Sequence, residues 1–365
     1  MLQDPHRRHP LHVLVATPSG VGGQGGIDRL MDSLRQVLDR QQRSDIRVTF
    51  APTRGAGHIL VSPFILVAFC LRVIVARVRG QLDVVHINVA SYGSTYRKLL
   101  VARLARLLGV PYVLHLHGAD YRRFWSDQRP WLHQRIRRMF ANAGRVVVLG
   151  RVWRDFIVGM VPEAREKVSI LPNATARPAL QHRGGGKDSH ILFLGRLGER
   201  KGVPQLGEAL ARMLTIPNWR ATIAGDGEVE VTRRRVAELG LDDRVSLPGW
   251  LNAERVASLI AEADILVLPS FEENLPISVI EGMASGLAVV ATPVGAVEDI
   301  VTEGETGLLV PPGDVEALAG AMTRLVTDPD LRRKLGAAGL EVHRARLDIE
   351  PYADALAAIW ASAAR

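Results

Sequence analysis

The sequence predicts an α/β protein made of two doubly wound, parallel-sheet domains in tandem, and three observations carry that expectation. Short β-branched runs alternate with longer stretches of helical period along the whole chain, the pattern of successive βα units. Six such units are followed by six more, with a polar, glycine-containing stretch between the two series. A length of 365 residues also exceeds what one ordinary compact core holds, so two cores are expected.

In chain order, the first series places strands at Leu11 to Ala16, Arg47 to Phe50, Asp83 to Asn88, Pro111 to His115, Arg145 to Leu149 and Val168 to Leu171. The second places them at His190 to Leu194, Arg220 to Ala224, Val245 to Leu247, Asp264 to Leu268, Ala288 to Ala291 and Gly307 to Val310. Between the series, Ala176 to Asp188 contains Pro178 and Gly184-Gly185-Gly186, which suits a linker. A first domain is therefore expected over 1–177 and a second over 178–347. The remaining segment, 348–365, has helical period and an apolar face with Tyr352 and Trp360, and is expected to pack back on the first domain. Doubly wound sheets take ligands at the carboxyl ends of their strands, so two facing domains would enclose an interdomain cleft.

With 47% hydrophobic and 23% charged residues, the composition is globular rather than disordered or membrane-spanning. The single cysteine, Cys70, excludes an internal disulfide framework and a cysteine-based zinc cluster, which suits a reducing compartment and a cytoplasmic location. Met1 to Pro10 is basic and has no apolar core of an export signal. The most apolar stretch, Ile59 to Val78, contains Ser62-Pro63, Arg72 and Arg77, and reads as a buried or interfacial helix rather than a span.

The net charge of +8 is unevenly divided. Met1 to Arg177 carries 27 Lys/Arg against 11 Asp/Glu, and Pro178 to Arg365 carries 19 against 27. A basic half suits an anionic membrane surface or a phosphorylated ligand. Its arginines are spread through segments such as Arg97 to Arg106 and Arg122 to Arg138 without a nucleic-acid-binding motif, so nucleic acid is not an expected partner.

The chemistry concentrates in the second half. Ser270-Phe271-Glu272-Glu273-Asn274-Leu275-Pro276 follows an apolar strand and runs into a helix, with Pro276 expected in its first turn. Asn274 and Leu275 would then offer backbone N–H groups to a phosphate at a helix N-terminus. Glu273 and Glu281, eight positions apart, are expected to bracket a ligand and accept from its hydroxyls. After another strand, Gly195-Arg196-Leu197-Gly198-Glu199-Arg200-Lys201-Gly202 supplies Arg196 and Lys201 around a glycine-rich turn, cations that could carry the charge developing on a leaving diphosphate in place of a metal. Gly225-Asp226-Gly227 ends the neighbouring strand, and Asp328-Pro329-Asp330 reads as the start of a helix rather than a metal site. In the first half, the glycine-rich Ser19 to Gly26, His117-Gly118 and Asn173 follow strands in the same way.

As a set, Glu273-x7-Glu281 enclosing Asn-Leu-Pro, Gly-Arg-Leu-x3-Lys-Gly at 195 to 202, Gly-Asp-Gly at 225, Leu-Pro-Asn at 171 and Ala-Ser-Gly at 284 resemble retaining glycosyltransferase family 4 over nearly the whole chain. The resemblance implies the GT-B fold, two Rossmann-like domains facing a cleft. It implies a nucleotide-sugar donor, UDP- or GDP-linked, and a lipid-linked or saccharide acceptor of envelope or exopolysaccharide assembly. It further implies that Glu281 holds the donor ribose, that Glu273 and nearby N–H groups hold the transferred sugar, and that Arg196 and Lys201 bind the diphosphate. Gly25 and Gly26 would shape the donor pocket, His117 would touch the sugar near the reacting centre, and the anomeric configuration would be retained with no metal or other cofactor. Asn274-Leu275 departs from the Gly-Phe that often follows the first Glu, which leaves the donor sugar open.

Other classes remain as alternatives. Gly20-Val21-Gly22-Gly23-Gln24-Gly25 spells the dinucleotide-binding pattern, but the second strand leads into Ala51-Pro52-Thr53 with no acid to grip an adenine ribose. A GT-B epimerase or phosphorylase would share the fold, and so would a non-catalytic sugar- or membrane-binding protein. Thermal stabilisation by particular nucleotides separates these readings.

Overall fold

The computed structural model describes residues 9–23, 25–55, 57–180 and 182–365, so most of the basic opening segment, Gln24 of the glycine run and Gln181 of the expected linker lie outside the described residues. The chain divides into two compact units, Met1–Asn173 with Ile349–Arg365, and Ala174–Asp348. The division falls ahead of Pro178 and the three glycines. Thr175 forms a parallel bridge with Asp348, and its N–H donates to the Leu347 carbonyl at 3.0 Å, so the chain enters and leaves the second unit side by side.

Unit 1 contains the strands β1 (Leu11–Thr17), β2 (Ile46–Pro52), β3 (Val84–Val89), β4 (Tyr112–Leu116), β5 (Arg145–Val148) and β6 (Val168–Ile170). Its helices are α1 (Gly26–Gln41), α2 (Ser62–Val78), α3 (Gly93–Leu107), α4 (Tyr121–Ser126), α5 (Pro130–Ala141) and α6 (Arg151–Met160), joined by the final helix, Ile349–Ala363. Unit 2 contains β7 (Ser189–Leu194), β8 (Trp219–Ala224), β9 (Val245–Gly249), β10 (Ile265–Leu268), β11 (Ala288–Ala291) and β12 (Leu308–Leu309). Its helices are α7 (Val203–Arg212), α8 (Val229–Glu238), α9 (Ala253–Glu262), α10 (Ile277–Ala284), α11 (Val315–Thr327) and α12 (Pro329–Val342); the final helix is α13.

Both sheets are parallel, with strand orders β2-β1-β3-β4-β5-β6 and β12-β11-β10-β7-β8-β9. Register places Val13 opposite both Val48 and Val84, and Leu266 opposite Leu192. Helices cover both faces of such a sheet, which is why β3 and β7 bury every residue rather than alternate. In each sheet the strand order reverses once, between β1 and β3 in unit 1 and between β7 and β10 in unit 2. At such a point neighbouring loops run in opposite directions and leave a crevice above the strand ends.

Right-handed crossovers put α1 on one face of the first sheet and α2, α3 and α5 on the other. The packing agrees: α3 lies against α2 and α5, and α1 lies against α13. α13 is held by Trp360 and Tyr352, both buried, and by the Trp360 Nε1–H bond to His86 Nδ1 at 2.9 Å. Arg40 and Arg43 of the first unit pair with Glu350 and Asp354 at its solvent edge.

The apolar stretch beginning near Ile59 corrects half of its sequence reading. α2 buries Phe69 and Val73 against the unit, but Phe64 is 75% exposed, Leu71 56% and Val78 80%, so it is not a helix enclosed by the core. No helix among the described residues is long and apolar enough to cross a membrane.

Candidate functional site

Lys201 and Glu273, 72 positions apart, meet as an ion pair above the crevice between β7 and β10. Their side chains are only 13% and 9% exposed, so water screens the pair little. Two glycines make the meeting possible. Gly202 has φ +68°, and a Cβ there would collide with the Pro269 carbonyl, so the 195–202 turn lies directly on the loop that follows β10. Gly225 has φ +154°, and a Cβ there would collide with the Gly195 carbonyl, which seats the turn after β8 against the turn after β7.

Hydrogen bonds lock these loops together. Leu197 N–H donates to the Asp226 carbonyl at 2.7 Å, Phe271 N–H to the Arg200 carbonyl at 2.9 Å, and Arg200 Nη1 to the Glu272 carbonyl at 2.9 Å. Ser270, fully buried, donates to Glu273 Oε1 at 2.8 Å, and Thr292 Oγ1 donates to the Ser270 carbonyl at 2.5 Å. The Glu273 carboxylate is therefore held by an ammonium and a hydroxyl before any ligand arrives. Ser270 and Thr292 were missed as supporting groups; Ser270 stood at the head of the motif, but nothing local marks Thr292, which follows the end of β11.

Arg196 is exposed on the same turn as Lys201. Asn274 and Leu275 are buried in the turn that follows Glu273, and the Asn274 carbonyl accepts from Ala296 N–H at 2.7 Å. The helix starts later than expected: Pro276 is the cap of α10, not a residue of its first turn, so the N–H groups opening α10 belong to Ile277 and its successors. Extended backbone at Pro276, with ψ 127°, is what delays the helix. Glu281 sits about one turn into α10, half-buried. Asp328 caps α12 by accepting from Leu331 N–H at 2.9 Å, a helix-capping role. Among the described residues no group of three or more His, Cys, Asp or Glu side chains is arranged to hold a metal ion.

The crevice of unit 1 is built differently. Gly25 caps α1 and Gly26 opens it, while Asp28, in the first turn, is buried and accepts from Ser19 N–H at 3.0 Å. Asp32 accepts from Gly22 N–H at 2.8 Å. Two loop amides that a dinucleotide pyrophosphate would need are thus taken by the protein's own carboxylates, which tells against the dinucleotide reading. Burial raises the Asp28 carboxyl above its ordinary value, opposed by its bonds from Ser19. Asp28 was missed; its signal was an acid in the first turn of a helix after a glycine loop.

His117 follows β4 and is half-buried, its ring 4.0 Å from that of His115. Trp360 can only donate, so His86 Nδ1 is an acceptor and the His86 proton sits on Nε2, 3.3 Å from Asn88 Oδ1. The same Asn88 Oδ1 lies 2.9 Å from His117 Nε2, which fixes the His117 proton there and leaves Nδ1 as an acceptor. Desolvation and the nearby His86 hold His117 down to about 3, and desolvation holds His86 down to about 4. At neutral pH His117 is an uncharged hydrogen-bonding group.

Comparison with known proteins decides what these sites belong to. The model for glycosyl transferases group 1 matches residues 180–342, and that for the glycosyl transferase 4-like domain matches residues 5–174. The chain belongs to this glycosyltransferase family. Alpha-D-kanosaminyltransferase of Streptomyces kanamyceticus is 29% identical over 70% of this chain and 72% of its own. The lipopolysaccharide core biosynthesis glycosyltransferase LpsE of Rhizobium meliloti is 34% identical, but over 47% of this chain and 49% of its own. Among solved structures, sucrose-phosphate synthase from Thermosynechococcus elongatus superposes with a TM-score of 0.77 at 20% identity, covering 97% of this chain and 98% of that one. Anabaena HepE in complex with UDP-glucose superposes with 0.75 at 17% identity, covering 96% and 100%. The glycosyltransferase has the GT-B fold, with the Lys201–Glu273 pair in its group 1 module and His117 in its 4-like module.

Proposed function

We propose that this glycosyltransferase moves a hexose from a UDP- or GDP-sugar to a lipid-linked or saccharide acceptor of envelope or exopolysaccharide assembly, with retention at the anomeric carbon and without a metal. The reading places it on the inner face of the plasma membrane. The observation that carries it is the water-poor Lys201–Glu273 pair above the β7/β10 crevice, with Arg196 on the same turn.

In this reading the diphosphate lies over the 195–202 turn, where Lys201 and Arg196 offset the charge that develops as the bond from the anomeric carbon to the diphosphate oxygen breaks. Glu273 keeps Lys201 in place and accepts from sugar hydroxyls with its remaining lone pairs. Glu281 accepts from the ribose hydroxyls. His117, neutral and with its Nδ1 lone pair open by tautomer, accepts from a sugar hydroxyl. The acceptor oxygen bonds to the anomeric carbon on the face the leaving group vacates, and its proton passes to the departing diphosphate. The naming of HepE with UDP-glucose and of LpsE in lipopolysaccharide core biosynthesis supports the donor and acceptor classes.

Slow hydrolysis of a panel of UDP-, GDP-, ADP- and dTDP-sugars tests the reading, with release of one sugar of unchanged anomeric configuration expected. Turnover should survive a chelator; activity lost to chelator and restored by manganese refutes the metal-independent part. No hydrolysis and no thermal stabilisation by any nucleotide would favour the binding-protein alternative.

A further inference from the structure

The layer formed by α2, α3 and α5 has a surface chemistry that sugar transfer does not require. On α2, Phe64, Val67, Leu71, Val75 and Val78 are all exposed, and at 3.6 residues per turn they fall within an arc of roughly 80°. The buried Phe69 and Val73 lie on the opposite side of the same helix. Next to it, α3 exposes Leu100 and Leu107 with Arg103 between them on one stripe. Beyond α3, α5 exposes Trp131, 54% accessible, with the Arg135 guanidinium 5.0 Å above its ring.

Charge names the occupant. Apart from the buried Lys98, the three helices carry eight arginines and no Asp/Glu, and between Ile46 and Ala119 the only acid is Asp83. The opposite face of the same sheet, covered by α1 and α13, carries three Lys/Arg and, besides the buried Asp28, four Asp/Glu. A second copy docked through the same face would bring arginines against arginines, with no acid on these helices to meet them. A surface of negative headgroups over hydrocarbon satisfies both the arginines and the aliphatic stripe, and Trp131 suits the boundary between them.

We propose that the α2–α3–α5 face is a membrane-docking surface for anionic lipid, with the α2 stripe lying in the headgroup–acyl boundary. The placement on a membrane in the preceding reading motivates it, but the face itself rests on geometry and charge alone. Helix α2 lies in the interface plane, and its buried side stays against the sheet.

Co-sedimentation of the full chain with phosphatidylcholine vesicles, with and without about a quarter phosphatidylglycerol, tests it at about 0.15 M salt. Binding at least tenfold tighter to the anionic vesicles is expected. Val67→Ser with Leu71→Ser should weaken it at least tenfold, and Arg72→Gln with Arg103→Gln should remove most of the preference for phosphatidylglycerol. Both pairs are exposed, and unchanged melting confirms folding. Equal binding to both vesicles, unchanged binding by the serine variant, or a soluble dimer that the serine variant dissolves would overturn the proposal. Donor hydrolysis without vesicles, run in parallel, keeps failure of docking distinct from failure of the transfer reading.

Discussion

The two crevices of this glycosyltransferase sit at equivalent points of two similar sheets, yet they use charge in opposite ways. In unit 2 a carboxylate restrains a cation: Glu273 holds Lys201, and the glycines around them let three loops close on one another. In unit 1 carboxylates restrain amides: Asp28 and Asp32 take the N–H groups of Ser19 and Gly22. The same topology thus yields one crevice that gathers a cation beside its carboxylate and one whose loop amides are already taken by the protein's own acids. Fold alone does not say which crevice would take a phosphate; the proposed reading rests on the ownership of the strand-end charges.

The largest expected effect breaks the unit 2 side. Lys201→Ala removes the cation and leaves Glu273 buried with only Ser270, so kcat/KM for the donor should fall by about a hundredfold or more, as for other groups facing a developing charge. A variant within threefold of the parent in steady-state kinetics would deny Lys201 its role. Glu281→Ala should act mainly on binding, raising the donor KM about tenfold, or ~1.4 kcal/mol, with less change in kcat. A pure kcat effect would move Glu281 from the ribose to the reacting centre.

On the unit 1 side, Asp28→Ala should act on stability instead. It strands the Ser19 amide in a poorly hydrated loop and should lower stability by ~1–3 kcal/mol, read as a lower midpoint in urea, while donor KM stays near the parent value. A donor KM raised as much as in Glu281→Ala would erase the contrast between the crevices.

A pH effect separate from the donor concerns Lys98, which is buried and donates to Thr53. Burial and the neighbouring Arg97 push its ammonium from 10.5 down to about 7. The unfolded chain therefore keeps this proton up to about 10.5, whereas the folded chain sheds it above about 7, so this group makes stability rise with pH across that window. Lys98→Met should flatten that rise in thermal melts between neutral and alkaline pH; an unchanged slope would show that other groups produce it.

Much of the fold was legible because parallel strands buried on both faces read as short Val/Ile/Leu runs; all twelve expected strands are present, with ends displaced by at most two residues. The glycine turns were equally visible, since few other residues tolerate their backbone. The ion pair itself was not: Lys201 and Glu273 were each singled out, but their contact depends on β10 lying beside β7 rather than β9, which periodicity does not reveal. The outward face of α2 was hidden for a related reason, because a helix apolar all round reads alike whether both sides or one side is covered. The Pro276 offset reflects the weakest part of any sequence reading, the end of an element.

Trp360 carries a consequence for how the molecule is made. Its indole closes the His86–Asn88–His117 chain, yet it leaves the ribosome only after the whole of unit 2 has been synthesised. Until then the nascent first unit lacks α13, and the part of the sheet that α13 covers, over β3 to β5, has nothing over it. The second unit, uninterrupted in sequence, is free to mature before the first has all its parts, so the half of the protein translated earlier is the half completed later.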